Sequence, residues 1–207
     1  KNHGPFLILN HRNTLRNVTI EYLNTPPLGP TGQKHEVNFT RMTGIVAKGK
    51  DDLRFENCRL IGSIGNHVKL LENCNRPRFI GCHIAGGYWT VLISANDAVF
   101  KRCVIEKCQG DGIKGGGNRI LVDNCVFQDN LRDGIDTTGG INDAVIRNTI
   151  FRRLGTGGLD LKSFYGSKEE LARPENVGIL IENCRFVDIP NAIVLTTLDN
   201  GRRQGPG

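Results

Sequence analysis

Aromatic residues are scarce in this chain of 207 residues: one tryptophan, three tyrosines and nine phenylalanines, 6% in all. So thin a supply argues against the stacking surfaces on which single-stranded nucleic acids are held. There is one methionine, and none of the seven cysteines forms a Cys-x-x-Cys pair, which leaves no zinc site of the usual spacing. No apolar run approaches the roughly 20 residues of a membrane-spanning helix. The first residues, Lys1-Asn2-His3-Gly4-Pro5, do not read as a secretory leader. A helical hydrophobic period is missing as well, which argues against bundles and coiled coils.

What the chain does have is glycine, 26 residues of it, and a formal charge of +6. That charge favours an acidic partner such as a polyanionic glycan over a neutral one. It also has a repeat. The phrase apolar–x–apolar–x–Asn–Cys–x–Phe occurs as Leu121–Phe127 and again as Ile179–Phe186, and the first copy is followed by Asp-Gly-Ile at Asp133. Aligned on the cysteine, the copies fall at Cys58, Cys82, Cys103, Cys125, Thr149 and Cys184, with intervals of 24, 21, 22, 24 and 35. A period of about 22–24 residues, rich in β-branched side chains, is the mark of a β-solenoid.

Within a repeat, Phe55, Phe79, Phe100, Val122, Ile146 and Ile181 precede the cysteine position by three. Leu60, Ile84, Ile105, Phe127, Phe151 and Phe186 follow it by two. Both sets keep an alternation of period two, with a change of phase between them. A one-residue left-handed bend at Asn57, Asn124, Asn148 and Asn183, with Gly81 and Arg102 as variants, accounts for the shift. Those asparagines are expected to stack as a ladder. Cysteines in one column of a core behave as small hydrophobes, so free buried thiols are expected.

A third strand follows at Asn66–Leu70, Thr90–Ser94, Asp111–Lys114, Asp133–Thr137, Gly157–Lys162 and Asn191–Leu195. The expected fold is therefore all-β: a single-stranded right-handed parallel β-helix with three strands per coil, over residues 1–200. Residues 24–45 and 164–176 read as loop insertions, the second with Ser167 and Glu170 placed to cap a short helix. Residues 201–207 read as a tail or linker.

If Val68, Leu92, Ile113, Ile135 and Leu159 point inward, the outward column after them reads Lys69, Ile93, Lys114, Asp136, Asp160, Val194. Thr138 and Lys162 belong to the next outward column. Gly112, Gly134 and Gly158 precede the inward residues and suggest a floor without side chains, open to a flat ligand. The same column also has a structural reading: Asp-Gly makes the turn into a strand, and stacked Lys and Asp form a solvated charge ladder. Tyr88 and Trp89 are placed to stack on a sugar, while His67 and His83 read as surface or turn residues.

In this coil, with one tight bend and two longer turns, the sequence resembles the pectate-lyase-like superfamily over essentially its whole length. In glycan enzymes of that superfamily the groove lies on the third-strand face, which the two insertions would wall. Gly110-Asp111-Gly112-Ile113-Lys114, followed one coil later by Asp133-Gly134-Ile135-Asp136, resembles the calcium site of family 9 polysaccharide lyases. The resemblance implies Ca²⁺ on Asp111, Asp133 and Asp136, hard oxygen ligands suited to that ion. It departs from the family at Arg132, where a further aspartate is usual. The family's catalytic lysine aligns near Asp160, with Lys162 or Lys114 on the same face as replacement bases.

The implied activity is lyase-type β-elimination on an acidic, uronic-acid-containing polysaccharide, with Arg132, Lys69, Thr138, Tyr88 and Trp89 as substrate-binding residues. It carries an extracellular or cell-envelope setting with it. One alternative is a non-catalytic glycan-binding or structural module of a larger surface protein. Another is a polygalacturonase-like hydrolase using Asp133, Asp136 and Asp160 as paired carboxylates, although that group's Gly-His-Gly and Arg-Ile-Lys motifs are absent, as is the Asp-Pro-His of mannuronan epimerases.

Overall fold

Each short apolar stretch of the repeat becomes a strand, and each strand pairs with its own counterpart one coil away. The computed structural model describes residues 5–22, 43–62, 65–138, 140–165, 176–199 and 202–204. Among these there is no helix, and the strands form one ten-stranded sheet and two seven-stranded sheets. The path of a coil is seen in Val99–Lys101, Val104–Glu106 and Ile113–Asn118, which enter sheets II, III and I in turn. Pairing between coils is parallel and, apart from a shift between Ile93 and Ala95 against Leu70 and Cys74, in register, for example Phe79↔Phe100↔Val122 in sheet II and Ile105↔Phe127↔Phe151 in sheet III. The exception is Arg202–Gln204, within the segment read as a tail, which pairs antiparallel with Thr197–Asp199. The insertions read at 24–45 and 164–176, with the cap at Ser167 and Glu170, fall largely outside the described residues. Strands at Thr43–Lys48 and Gly157–Tyr165 take their described edges.

The bend between sheets II and III is left-handed, as the change of phase required. Asn57, Asn124, Asn148 and Asn183 have φ of 50–55°, Arg102 53° and Gly81 63°. Gly81 and Arg102 interrupt these asparagines, so they do not make the expected ladder. A continuous ladder runs instead at the corner after sheet I, where Nδ2 of Asn75, Asn96, Asn118 and Asn142 donates to the Oδ1 of Asp51, Asn75, Asn96 and Asn118 at 3.0–3.1 Å. All seven cysteines are free, six of them buried. In the repeat column each thiol lies 3.3–3.5 Å from a carbonyl of the preceding coil, such as Phe55 O for Cys82 and Phe79 O for Cys103. Thr149 keeps the column polar at its rung: its hydroxyl accepts from the Cys125 N–H and donates to Arg147 O.

Past the first coil, which has Leu15 and Ile20, the core holds one phenylalanine per coil at these two positions. Phe55, Phe79 and Phe100 stack on sheet II with centroids 4.5 and 4.7 Å apart. The rings then change walls, and Phe127, Phe151 and Phe186 stack on sheet III at 5.1 and 5.0 Å. Val122 and Ile146 fill the vacated places on sheet II and, with Ile113, Ile135 and Ile141, line a small apolar cavity.

This change of walls overturns the glycine floor. A Cβ on Gly112, Gly134 or Gly158 would lie 3.0, 2.7 or 2.6 Å from Cδ1 of Phe127, Phe151 or Phe186. These glycines make room for the rings on the core side and do not open a surface to ligand. Where the next coil carries Ile84 or Ile105 in place of Phe, the same column holds His67 and Thr90, both fully buried. His67 is thus not a surface residue. Its Nε2 lies 3.1 Å from Ala85 O, its ring 5.3 Å from that of Tyr22, and burial pushes its pKa down to about 4. His83 is a partly exposed residue paired with Glu106 at 3.0 Å.

Gly134→Ala should destabilise the fold by about 1–3 kcal/mol through overpacking. Phe151→Leu in the same chain should recover part of that loss, because it removes the ring the new methyl meets. Thermal melts of the two single variants and the double variant measure the coupling, and strict additivity would refute the contact.

Candidate functional site

Over the rungs from Lys69 to Asp160, sheet I presents its outward side chains in register, which fixes the site. Val91, not Leu92, pairs with both Val68 and Ile113. The outward column is therefore Lys69, Leu92, Lys114, Asp136, Asp160, Val194, with Leu92 in the place expected for Ile93. Ile93 points inward and is buried. The slip arose because Val91-Leu92-Ile93 is apolar on both faces, so alternation alone does not give its phase.

Asp111 and Asp133 close the turns into two neighbouring strands of this sheet, where Gly112 N–H bonds Asp133 O at 3.0 Å. Their carboxylates meet that of Asp136 from the side, and one oxygen from each of the three falls within 4.8 Å of the others. Lys114 Nζ sits against Asp111 at 3.1 Å and donates a short hydrogen bond to Asp136. Lys162 Nζ bridges Asp136 and Asp160 at 2.7 and 2.8 Å. The Arg132 guanidinium approaches Asp111 at 3.8 Å from the more open side. Seven charged groups, four carboxylates and three cations, thus come together on one face, with Asp111 and Asp136 fully buried.

The field within this cluster is uneven. Burial pushes the Asp111 carboxyl up, and the Lys114 ammonium only partly offsets it. Burial likewise drives Asp133 up to about 6, against a hydrogen bond from the Thr156 hydroxyl. For Asp136, burial is outweighed by the hydrogen bonds from Lys114 and Lys162, which hold it below the usual carboxylate range. Burial would lower Lys162, but Asp136 and Asp160 together raise it, so Lys162 is an ammonium at neutral pH.

The donor set suits a hard divalent cation: three convergent carboxylates, one of whose buried oxygens, Asp136 Oδ1, lacks a hydrogen-bond partner. Lys114 now supplies the positive charge there, so lysine and cation are alternative counter-ions for the same oxygens.

Two aromatic residues edge the cluster. Lys114 Nζ lies 5.2 Å from the Trp89 ring centroid, and the rings of Tyr88 and Trp89 are tilted at 5.2 Å. Lys69 stands two rungs from Lys114 with Leu92 between, outside the cluster. Thr138 pairs in register with Lys162 and is exposed. Thr156, which donates to Asp133, was not anticipated. Its signal is positional, for it occupies the place of Arg132 one coil on, its N–H lying 3.4 Å from Arg132 O.

The fold and this face together define a parallel β-helix whose sheet I carries a buried acidic–basic cluster. A family model described as right handed beta helix region matches residues 67–202. The chain belongs to that right-handed β-helix family. A search of curated proteins returns no significant match.

The raised pKa of Asp133 has a consequence for stability. An ordinary aspartate titrates near 3.9, so the folded state binds this proton more tightly than the unfolded one. The contribution favours folding below about pH 4 and is lost as pH rises through about 6. Asp133→Asn stays neutral and still accepts from Thr156. In the presence of a chelator it should melt above the parent near pH 8, by at most about 3 kcal/mol at about 1.4 kcal/mol per pKa unit. That advantage should vanish near pH 4, and an advantage independent of pH would refute the assignment.

Proposed function

We propose that the outer face of sheet I binds an acidic, uronic-acid-containing polysaccharide and cleaves it by β-elimination. The observation that carries this reading is the buried meeting of four carboxylates with Lys114, Lys162 and Arg132, edged by Tyr88 and Trp89. Ion pairs kept only for stability rarely justify the desolvation of so many charges.

Elimination requires three things of the protein: neutralisation of the sugar carboxylate, a base for the adjacent proton, and orientation of the ring. Arg132, the most exposed cation of the cluster, suits the carboxylate, since a guanidinium fork matches its geometry. Ca²⁺ held by Asp111, Asp133 and Asp136 would supply further positive charge for the same purpose. Lys162 is pinned as an ammonium between two carboxylates and suits charge stabilisation rather than proton abstraction. Lys114 is the base, because its two partners are the carboxylates that a cation would neutralise. It takes the proton α to the carboxylate. The C–H electron pair becomes the new double bond, and the β C–O bond breaks with its pair on the leaving glycosidic oxygen, which gains a proton from solvent. Tyr88 and Trp89 offer ring faces to the sugar.

A binding-only module is the second reading, favoured by the pairing of Lys162 with both Asp136 and Asp160.

Incubation with polygalacturonate, alginate and glycosaminoglycans, with Ca²⁺ or with chelator, tests the choice. The expected result is a Ca²⁺-dependent rise in the ultraviolet absorbance of the conjugated, unsaturated uronate. Lys114→Ala should lower that rate at least about 100-fold, the lower range for loss of a general base. No unsaturated product and no new reducing ends, on folded protein that still binds polymer, would leave the module reading.

The cation has its own check. Ca²⁺ at about 100 times its Kd should stabilise the protein by about 2.7 kcal/mol, and Asp136→Asn should abolish the shift. A shift that survives that substitution would place the ion elsewhere.

A further inference from the structure

Charges stacked one coil apart on this protein's surface follow a rule. At the corner before sheet II, successive coils carry Arg12, Asp52, Arg76, Asp97, Arg119 and Asp143, alternating in sign at every rung. Arg76 pairs with Asp52 at 2.7 Å and Arg119 with Asp97 at 2.6 Å. At the corner after sheet III, Lys107, Asp129, Arg153 and Asp188 alternate in the same way, with Arg153 on Asp129 at 2.6 Å. The spacing explains the rule, since like charges on neighbouring rungs repel and opposite ones attract.

Like charges meet in register at Asp136 and Asp160, where Lys162 lies between them in the site described above. They also meet at Arg54 and Arg78 on the outer face of sheet II. Both arginines are exposed, and among the described residues neither makes an ion pair. The nearby carboxylates are engaged elsewhere: Glu56 holds Arg16 at 2.6 Å, and Asp52 holds Arg76. Two coils beyond Arg54, exposed Arg102 occupies the left-handed bend at φ 53°, where Asn or Gly stands in the other coils. A departure from a rule kept elsewhere in one chain marks a place under another constraint.

We propose that the outer face of sheet II across Arg54, Arg78 and Arg102 is a second binding surface, for a linear polyanionic glycan running along the stack of coils. Guanidinium groups offer paired donors to carboxylates or sulfates and lose little on desolvation compared with ammonium groups. The outward positions of these strands, Arg54, Glu56, Arg78, Ile80, Val99 and Lys101, include no aromatic side chain on which a base would stack. This surface is separate from the sheet I cluster, and a bound polymer held here would be presented to that cluster repeatedly without release.

Equilibrium binding of the whole protein to polygalacturonate and to heparin, at low and high salt, tests this independently of any cleavage. Arg54→Ala/Arg78→Ala should weaken binding at least about tenfold and flatten its salt dependence. The same variant should leave any turnover of short oligouronides unchanged. Arg78→Glu places opposite charges in register, so it should weaken binding while keeping or raising the melting temperature. A preference for heparin identifies sulfate as the recognised group, and a preference for polygalacturonate identifies carboxylate. Affinity unaltered in both variants would overturn the proposal, as would tighter binding of a DNA duplex of equal charge. Absence of lyase activity leaves this outcome untouched, because the readout is binding to sheet II.

Discussion

In-register stacking of coils about 4.8 Å apart is the constraint on which the rest of this structure depends. Every side chain in the interior touches its own counterpart above and below, so a coil cannot choose its residues alone. The phenylalanines show the consequence. Each coil admits one ring at the two wall positions, and rings stack only while they stay on one wall. When they cross from sheet II to sheet III, the corner facing them must lose its side chains. Gly112, Gly134 and Gly158 are the answer to Phe127, Phe151 and Phe186, as His67 and Thr90 are to Ile84 and Ile105.

The same stacking rules the exterior, where it acts through charge. Alternating Arg and Asp at the corners turn a repulsive geometry into an attractive one, at modest gain per exposed pair. The ladder that begins on the Asp51 carboxylate achieves the same end with uncharged amides from Asn75 to Asn142. Against these regular columns the sheet I cluster is distinguished by burial as well as by sign. Asp111, Asp136 and Lys162 are nearly closed to solvent; burial pushes Asp133 up, while the hydrogen bonds from Lys114 and Lys162 outweigh burial at Asp136 and hold it down. Neighbouring carboxylates with separated pKa values are a common property of acid–base sites.

Much of this was legible in the chain. The spacing of Cys58, Cys82, Cys103 and Cys125, the phase change at Asn57 and Asn124, and the repeated Asp-Gly-Ile were enough for three strands per coil, the left-handed bend and the column Lys114–Asp136–Asp160. The errors have particular causes. Val91-Leu92-Ile93 offers no polar residue to set its phase. Strand alternation does not extend past the start of the strand to Gly112 and Gly134, which lie in a corner where the chain is turning. Asparagines are frequent at the bend, but Gly81 and Arg102 break any ladder there.

Periodicity determined the fold, the register of most coils and the identity of the residues on the third face, because those follow from one dimension repeated. Only the tertiary structure decided which carboxylates converge, which lysine is bridged by two of them, and toward which side the glycines look. These depend on distances across a corner and between coils. A turn of a few degrees at Asp111 or Asp133 sets such distances, and no spacing along the chain records it.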